Sequence, residues 1–446
     1  MNPVLSALLS RHLIDRQGQH RRKVLAAFQQ SCDVDFLDAS VRRAKRNELL
    51  SRLLNQARQH VPYFSRIMSR SPEIAAHNAQ SILSTLPILK RSQIQQDMKQ
   101  FVAENAAEMF DDATGGSSGT PMVFKVDRDT QIAREASLMW ANSLAGWRPG
   151  DRIAMLWGSD RDVSTSLKNL RLTLRWQIEN YRWFNAFDMG AEKMARFHDT
   201  MRRFRPHLIV AYAGSVFTFA RYLRDSGIKP GYPSSAIVSS AEVLAPEMRE
   251  LVEDVFGIRV FDRYGNREAG AIAAECSTHS GLHVNESDFI VEIDSSDPFR
   301  VPGNVLITYL RNFAMPLIRY DTGDSARFGS CEPCSCSRAT PRLAPVTGRE
   351  SDNIRTASGA IIHGEFFTHL LYGTGCVREF QFVQESLMSY RLLLAGSRRM
   401  PGEMKEDLRR RILDAVGRDC ALAIEMVEKI PALPSGKRKF TLSRLR

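Results

Sequence analysis

The strongest constraint on the fold is an alternation of short apolar runs with longer segments that repeat apolar residues at helical spacing. The strand-like runs are residues 152–157, 208–211, 236–239 and 259–261. The helix-like segments between them are residues 194–204, 216–225 and 246–256. Strands that alternate with helices are typical of a parallel sheet covered by helices. The pattern therefore predicts an α/β core.

Other parts of the chain differ from this core. Residues 1–105 are predicted to be mainly helical, while residues 289–293 and 304–308 indicate an added β layer. A polar stretch near residue 350 precedes a last segment with strand, helix and strand patterns. We therefore expect a large multi-layer N-terminal domain over residues 1–350 and a small α+β C-terminal lid domain over residues 351–446.

Composition restricts the class of protein. The 446 residues are 43% hydrophobic and 25% charged, which is normal for a globular chain. The net charge of +11 favours anionic ligands, but the basic residues are dispersed, so a nucleic-acid-binding face is not expected. Apolar runs are too short for a membrane span, and the N-terminus lacks a signal-peptide pattern. We expect a cytoplasmic protein.

A loop of small residues is the first motif with chemical meaning. It consists of Thr114, Gly115, Gly116, Ser117, Ser118, Gly119 and Thr120, followed by Pro121. Glycines let a backbone approach a ligand closely, and exposed N–H and hydroxyl groups bind phosphate oxygens. The common GxxxxGK nucleotide loop is absent. Alone, the loop is equally consistent with a surface turn.

Three further segments contain reactive or charged side chains. They are Tyr264-Gly265-Asn266-Arg267-Glu268, Tyr320-Asp321-Thr322-Gly323-Asp324 and Pro434-Ser435-Gly436-Lys437-Arg438-Lys439. Taken singly, each also fits an ordinary structural role, as a core tyrosine, a surface turn or a solvated basic turn. Their order along the chain is more specific. Together with the loop they make the chain resemble the adenylate-forming superfamily, and most closely its phenylacetate–coenzyme A ligase-like branch, over residues 53–439.

The resemblance implies a role for each motif. The loop from Thr114 to Thr120 would hold the phosphates of ATP, Tyr264 would flank the adenine, and Asp324 would bind the ribose. Arg349 would lie near the ribose and phosphates. Glu268 would ligate Mg²⁺, and Lys437 would bridge the substrate carboxylate and the α-phosphate as negative charge builds there.

The resemblance also implies motion and shows departures. In this superfamily the small domain rotates between two half-reactions, about a hinge that corresponds to Ser351. Arg267 stands where relatives often carry a small hydroxyl residue, and Met122 stands where a lysine would follow Pro121. Residues 240–242 are expected at the floor of the acyl pocket.

Seven cysteines, three of them crowded together, favour a metal site over a disulfide framework. Cys276, His283, Cys334 and Cys336 are the predicted ligands of a structural zinc ion, and the resemblance includes members with a zinc site in this region. Cys331 is an alternative to Cys334, and His279 is a rival to His283. A loop of free thiols is the other interpretation.

The sequence therefore predicts a ligase that forms acyl-AMP from ATP and a carboxylic acid, then an acyl thioester. An aryl acid and coenzyme A are the expected substrates. A phosphopantetheine arm on an acyl carrier protein, or a non-thiol acceptor, is the alternative, and a non-catalytic scaffold relative is a second one. Relatives are often dimers, which leaves a homodimer open.

Overall fold

The computed structural model describes most of the chain. The described residues are 16–106, 108–114, 122–157, 176, 178–186, 189–330, 332–347, 354–357, 361–362, 365–372, 377, 379–395, 401–430 and 440–445. Within them, helices and sheets form a mixed α/β structure, as the sequence predicts.

The N-terminal part is helical. The helices are α1 (Arg16–Val34), α2 (Ala39–His60), α3 (Pro62–Ile67), α4 (Ala79–Thr85) and α5 (Arg91–Gln96). Proline at the start of α3 suits the first helical turn, where its missing N–H leaves no bond unmade. The buried face of α2, which includes Leu50, Leu53, Leu54 and Ala57, packs into the largest apolar core.

A mixed eight-stranded sheet forms the centre of the protein. Its strands are β3 (Ile153–Leu156), β4 (Tyr181–Phe184), β5 (Leu208–Tyr212), β6 (Ala236–Ser240), β7 (Val260–Asn266), β8 (Gly270–Glu275), β9 (Leu282–Val284) and β13 (Arg342–Leu343). Their spatial order is β13-β9-β8-β7-β6-β5-β3-β4. From β4 to β7 neighbouring strands are parallel, and from β7 to β13 they are antiparallel. The predicted α/β core is therefore present.

Helices cover both faces of the parallel part of the sheet. They are α6 (Arg128–Leu144), α7 (Ala191–Phe204), α8 (Ala213–Asp225) and α9 (Pro246–Phe256). Alternate residues of β6 separate into two cores: Val238 packs with α6 and α1, whereas Ile237 packs with α8 and α9. This alternation follows from the two-residue repeat of a strand that is buried on both faces.

Two smaller sheets lie beside this core. One is the hairpin of β1 (Phe110–Ala113) and β2 (Val123–Val126), which flanks the predicted phosphate loop. The other is antiparallel and contains β10 (Phe289–Asp294), β11 (Gly303–Tyr309) and β12 (Tyr320–Ala326). The second sheet is the added β layer that the sequence predicts.

The C-terminal part has its own core. Its elements are β14 (Ile354–Arg355), β15 (Ile361–Ile362), α10 (Glu365–Tyr372), β16 (Glu379–Ser386), β17 (Ser389–Ala395), α11 (Gly402–Val416), β18 (Ala421–Val427) and β19 (Thr441–Ser443). Four of these strands form a sheet in the order β18-β17-β16-β19. Phe367 stacks on Phe382 in the apolar cluster under this sheet. Across the described ranges, no helix has both the length and the apolarity to cross a bilayer.

Candidate active site and metal centre

Two of the predicted motifs meet through paired hydrogen bonds. Tyr264 on β7 is 8% exposed, and its hydroxyl donates to Asp324 Oδ2 on β12 at 2.9 Å. The hydroxyl oxygen of Tyr264 also lies 3.1 Å from Thr322 Oγ1. In return, the hydroxyl of Tyr320 on β12 donates to Glu268 Oε1 at 3.3 Å. Each motif thus supplies a tyrosine that holds the carboxylate of the other.

Burial makes this arrangement specific. Glu268 is 5% exposed and lies in the turn between β7 and β8, where Asn266 Oδ1 accepts the N–H of Ala269 at 2.9 Å. A buried carboxylate needs donors or a cation, because removal from water without them is costly. The pair Glu268 and Asp324 therefore forms a small acidic centre at the junction of the central sheet and the added β layer.

The base of the phosphate loop is also built from polar contacts. Thr114 is buried, and its hydroxyl accepts hydrogen bonds from Arg91 Nη2 at 2.7 Å and from the N–H of Met122 at 2.9 Å. Thr114 thus joins the two ends of the loop to α5. Gly115, Gly116, Ser117, Ser118, Gly119 and Thr120 lie outside the described residues, as do Arg349 and Lys437.

Arg267, the departure noted in the tyrosine motif, has a definite partner. Its Nε lies 3.1 Å from Asp112 Oδ1, and Arg134 binds the other oxygen of Asp112 at 3.0 Å. Asp112 lies on β1, two residues before Thr114. Sequence reasoning missed this three-residue link, because nothing in the local pattern shows that α6, β1 and the tyrosine motif converge.

The carboxyl ends of the parallel strands form an aromatic and polar edge. Trp157, just after β3, stacks on Tyr212 at the end of β5 with ring centroids 4.1 Å apart. Arg263 on β7 is 6% exposed and lies 5.9 Å from the Trp157 ring. In doubly wound sheets, ligands bind outside the carboxyl ends of the strands. The sequence predicts residues 240–242 at the floor of the acyl pocket, but it did not single out Arg263.

Residues 240–242 lie at the same edge. Glu242 Oε2 accepts the N–H of Gly214, in the first turn of α8, at 2.8 Å, and Ala241 adopts a left-handed φ of 66°. A carboxylate is stabilised at a helix N-terminus by the exposed N–H groups and the helix dipole. The segment is therefore held rigidly beside the strand ends.

The four predicted zinc ligands come together. One ligand atom from each of Cys276, His283, Cys334 and Cys336 lies within 4.8 Å of the others. The Sγ atoms of Cys276 and Cys334 are 3.7 Å apart, and His283 Nε2 lies 3.4 Å from Cys336 Sγ. The β8–β9 hairpin supplies Cys276 and His283, and the loop before β13 supplies Cys334 and Cys336. His283 and Cys334 are 51 residues apart in the chain (334 − 283), so only the fold creates the cluster. Three sulfur atoms and one imidazole nitrogen match the donor set of a tetrahedral structural zinc site.

The surroundings of Cys334 favour its thiolate form. Burial raises the pKa of Cys334, but hydrogen bonds from the Thr278 hydroxyl and from the backbone N–H of Cys336 outweigh this and lower the pKa to about 5. The other ring nitrogen of His283, Nδ1, lies 3.0 Å from Thr340 Oγ1, which orients Nε2 towards the thiols. The residues therefore fit a Zn²⁺ ion, which would cross-link the β8–β9 hairpin to the loop before β13.

The rival ligands differ in position. His279 Nδ1 lies 3.1 Å from Glu275 Oε2 and its ring packs against Phe261, so this side chain is engaged outside the cluster. Cys331 lies outside the described residues. Cys32 and Cys420 have no place in the cluster; the first is partly buried and the second is buried.

The loop with Cys334 and Cys336 is braced by the N-terminal helices. Asp35 is 2% exposed, and its Oδ2 accepts hydrogen bonds from Trp140 Nε1 at 2.9 Å and Arg338 Nε at 3.0 Å. Arg42 donates to Glu286 Oε2 at 2.7 Å and to the carbonyl of Ala339 at 2.6 Å. The helical N-terminal segment thus fixes the candidate metal centre.

Comparison with known proteins places the chain among related sequences and folds. Residues 354–444 match the family described as the CapK C-terminal domain. The chain is 21% identical over 410 residues to Protein CapK of Staphylococcus aureus. The match covers 90% of this chain and 89% of that protein. The chain is 24% identical over 334 residues to Phenylacetate-coenzyme A ligase of Thermus thermophilus, covering 72% of this chain and 73% of that one.

A solved structure gives the same result for the fold. The crystal structure of 2-Hydroxyisobutyryl-CoA Ligase in the postadenylation state, in complex with R3-HIB-AMP, superposes with a TM-score of 0.71 at 17% identity. The match covers 92% of this chain and 91% of that one. The resemblance that the ordered motifs predict is therefore confirmed: the chain is related in sequence and fold to the adenylate-forming superfamily and to its phenylacetate–coenzyme A ligase-like branch.

Proposed function

We propose that this protein is an ATP-dependent carboxylate-activating ligase that forms an acyl-AMP and then an acyl thioester. The observation that carries the proposal is the reciprocal pairing of Tyr264 with Asp324 and of Tyr320 with Glu268. It brings two motifs 56 residues apart, counted from Tyr264 to Tyr320, into one acidic centre next to the base of the phosphate loop. A chance surface turn has no reason to hold two carboxylates through the hydroxyls of two buried tyrosines in this way.

The chemistry has two steps. In the first, a carboxylate oxygen of the acid attacks the α-phosphorus of ATP, and the bond to the leaving pyrophosphate breaks. In the second, the sulfur of a thiolate attacks the acyl carbon, the bond to AMP breaks, and the thiol proton goes to solvent. The first step brings two anions together, so catalysis depends on positive charge and oriented donors at the reacting oxygens.

Each site residue then has a role. Asp324 accepts hydrogen bonds from the ribose hydroxyls, and Tyr264 flanks the adenine while its hydroxyl orients Asp324. Glu268 would ligate Mg²⁺, which would neutralise charge on the triphosphate. The loop from Thr114 to Thr120 holds the phosphates, and Arg349 lies near the ribose and phosphates.

Lys437 is the proposed mobile charge. It belongs to the small domain, and its ammonium bridges the substrate carboxylate and the α-phosphate. A lysine suits this task because it is a compact point charge on a flexible stem. Lys437 can act only when rotation of the small domain brings its ammonium to the reacting groups.

The domain boundary near Ser351 and rotation of the small domain are part of the proposal. Residues 354–444 match a separate C-terminal family, which supports an independent unit. One contact between the small and large domains is a hydrogen bond that Arg221 Nη1 on α8 donates to the carbonyl of Val377 at 2.7 Å. The ring of Phe440 packs beside Gly214, where an added Cβ would lie 3.4 Å from Phe440 Cζ. Contacts of this kind can be broken and remade without opening a core.

The proposed substrates are an aryl acid and coenzyme A. Relatives named as phenylacetate–coenzyme A ligases support both, whereas 2-Hydroxyisobutyryl-CoA Ligase has the same fold and is named for an aliphatic acid. A carrier-protein phosphopantetheine is the alternative acceptor, favoured by the net charge of +11, which would attract an acidic carrier. A non-thiol acceptor would give the same first step.

The proposal also includes zinc as a structural ion at Cys276, His283, Cys334 and Cys336. The donor set supports this role, and so does the contact of His283 Nδ1 with the Thr340 hydroxyl. The cluster includes none of the motif residues to which the adenylation chemistry is assigned, so we assign it no catalytic step.

The test measures the release of pyrophosphate from ATP in the presence of Mg²⁺. A panel of aryl, hydroxyaryl and aliphatic acids is assayed with and without coenzyme A. Acid-dependent release that rises with coenzyme A is the expected result. Acid-dependent release without acceleration by coenzyme A would point to a carrier protein or another acceptor. A folded, ATP-binding protein that releases no pyrophosphate with any acid would favour the scaffold alternative.

A further inference from the structure

One buried positive charge at the carboxyl edge of the central sheet has only neutral partners. Arg263 donates from Nε to Ser240 Oγ and from Nη1 to Asn142 Oδ1, both at 3.2 Å. Within the residues the structure describes, no carboxylate forms an ion pair with its guanidinium, and Nη2 has no hydrogen-bond partner. The side chain is nevertheless almost fully buried, at 6% exposure.

Other buried arginines of the described chain are compensated. Arg21 binds Glu135 at 3.0 Å, and Arg42 binds Glu286 at 2.7 Å. Arg342 has no carboxylate but donates to four oxygen atoms of Ser280, Ser330 and Glu332. Arg263 differs from all three, since two weak neutral acceptors replace neither its hydration nor a counter-ion.

The burial of this charge is costly because it removes the guanidinium from water. Burial lowers the pKa of Arg263 to about 10, although Tyr181 and Asp262 nearby favour the charged form. The guanidinium therefore stays charged at neutral pH. A buried charge that is left without a counter-ion is stabilised when an anion arrives.

Its position shows what kind of anion could arrive. Arg263 directly precedes Tyr264 on β7 and pairs in register with Ser240 at the end of β6. Its guanidinium lies 5.9 Å from the ring of Trp157, which stacks on Tyr212. The uncompensated charge thus borders the edge where the acid substrate is expected, beside the residue assigned to the nucleotide.

We propose that Arg263 binds a second anionic group of the acid substrate, so that the natural substrate is a dicarboxylic acid. This inference rests on the proposed function and deepens it. One carboxylate is activated by ATP, and the other forms a charge-assisted pair with the Arg263 guanidinium. The stacked Trp157 and Tyr212 then provide an apolar wall for the carbon frame that joins the two carboxylates.

The test is ATP–pyrophosphate exchange with pairs of acids that differ by one carboxylate. Suitable pairs are phenylacetate with the carboxyphenylacetates, benzoate with the benzenedicarboxylates, and butyrate with glutarate. We expect the preferred dicarboxylate to exceed its monocarboxylate partner at least about tenfold in kcat/KM, because a site built to bind a polar group discriminates against analogues that lack it. Equal or higher values for the monocarboxylates would overturn the inference.

Two variants identify Arg263 as the cause. Arg263→Gln removes the charge, and Asn142→Asp supplies an internal carboxylate to Nη1 with little change of shape. Both should lower kcat/KM for the dicarboxylate at least about tenfold more than for its monocarboxylate partner. Arg259→Gln, an exposed site four residues earlier, is the matched control. A purely structural role for Arg263 would lower exchange with both acids equally and would contradict the inference.

Failure of the proposed function gives a different result. If no acid supports exchange in a protein that binds ATP, the adenylation proposal fails. Calorimetric binding of the same dicarboxylates then decides the present inference alone. Binding by the wild-type protein that is lost in Arg263→Gln supports it, and absence of binding, or equal binding by both proteins, overturns it.

Discussion

Tyr264 donates its hydroxyl proton to Asp324 at 2.9 Å, and this bond connects the strand of the tyrosine motif with the strand of the aspartate motif. Tyr320 and Glu268 make the converse connection at 3.3 Å. The two tyrosines fix the orientation of both carboxylates before any ligand arrives. In the proposed nucleotide site, such preorganisation would lower the entropy lost on binding of ATP.

Removal of the Tyr264 hydroxyl should weaken ATP binding. Tyr264→Phe keeps the ring but no longer orients Asp324, and a hydrogen bond to a charged group contributes about 1.5–3 kcal/mol. We expect the Kd for ATP to rise about tenfold, measured by calorimetry. On an Asp324→Ala background the same change should add little.

Tyr309→Phe is the matched control for that measurement. The hydroxyl of Tyr309 is buried without a hydrogen-bond partner in the described structure, while its ring stacks on Phe289. ATP affinity should therefore stay unchanged in this variant. Independent, additive effects of Tyr264→Phe and Asp324→Ala would contradict the proposed coupling.

Lys437→Ala should slow adenylation far more than it weakens ATP binding. Its ammonium is proposed to act on charge that develops only in the transition state, and loss of one such donor costs about 10²–10³ in rate. Single-turnover formation of acyl-AMP and calorimetric ATP binding measure the two effects separately. Lys429→Ala, an exposed lysine of the same domain, should change neither. Equal losses in rate and ATP affinity would remove the role assigned to Lys437.

Zinc content should depend on the four-residue cluster. Purified protein is expected to contain about one zinc ion per chain by mass spectrometry, as a four-ligand structural site requires. Cys336→Ser and His283→Ala should lose the ion and lower the melting temperature. The thiol of Cys32 lies outside the cluster, near Ser143. Cys32→Ser should therefore retain the zinc ion and the wild-type melting temperature. Full zinc content in Cys336→Ser and His283→Ala would place the ion elsewhere.

The buried carboxyl of Asp35 should make stability depend on pH. Burial raises its pKa from an ordinary 3.8 to about 6, although Trp140 and Arg338 donate to it. The folded state then holds the proton more tightly than the unfolded state, so this group favours folding below pH 4 and loses that contribution as pH rises through 6. The loss amounts to about 3 kcal/mol, from about two units at 1.36 kcal/mol each.

Asp35→Asn tests this effect, because the amide does not ionise. Urea unfolding at pH 4 and pH 7 should show a smaller fall in the free energy of unfolding for the variant than for wild type. Asp33→Asn, at a neighbouring exposed position, should follow the wild-type curve. Parallel curves for Asp35→Asn and wild type would mean that Asp35 keeps an ordinary pKa in the folded protein.

The sequence by itself determined the class of fold. Strand and helix periods depend only on local spacing, so the α/β core was predictable and β5, β6 and α9 are found close to their predicted bounds. The order of four motifs was enough to predict the family. The identities of Tyr264, Glu268 and Asp324 as candidate site residues also followed from that order.

Only the tertiary structure decided which side chains meet. The partner of each carboxylate is a tyrosine from the other motif, and the choice between His279 and His283 depends on which ring faces the thiols. Arg263 could not be recognised in the sequence, because an arginine within a strand gives no sign of burial or of its missing counter-ion. Contacts between residues far apart in the chain are set by packing of whole elements, which no local pattern encodes.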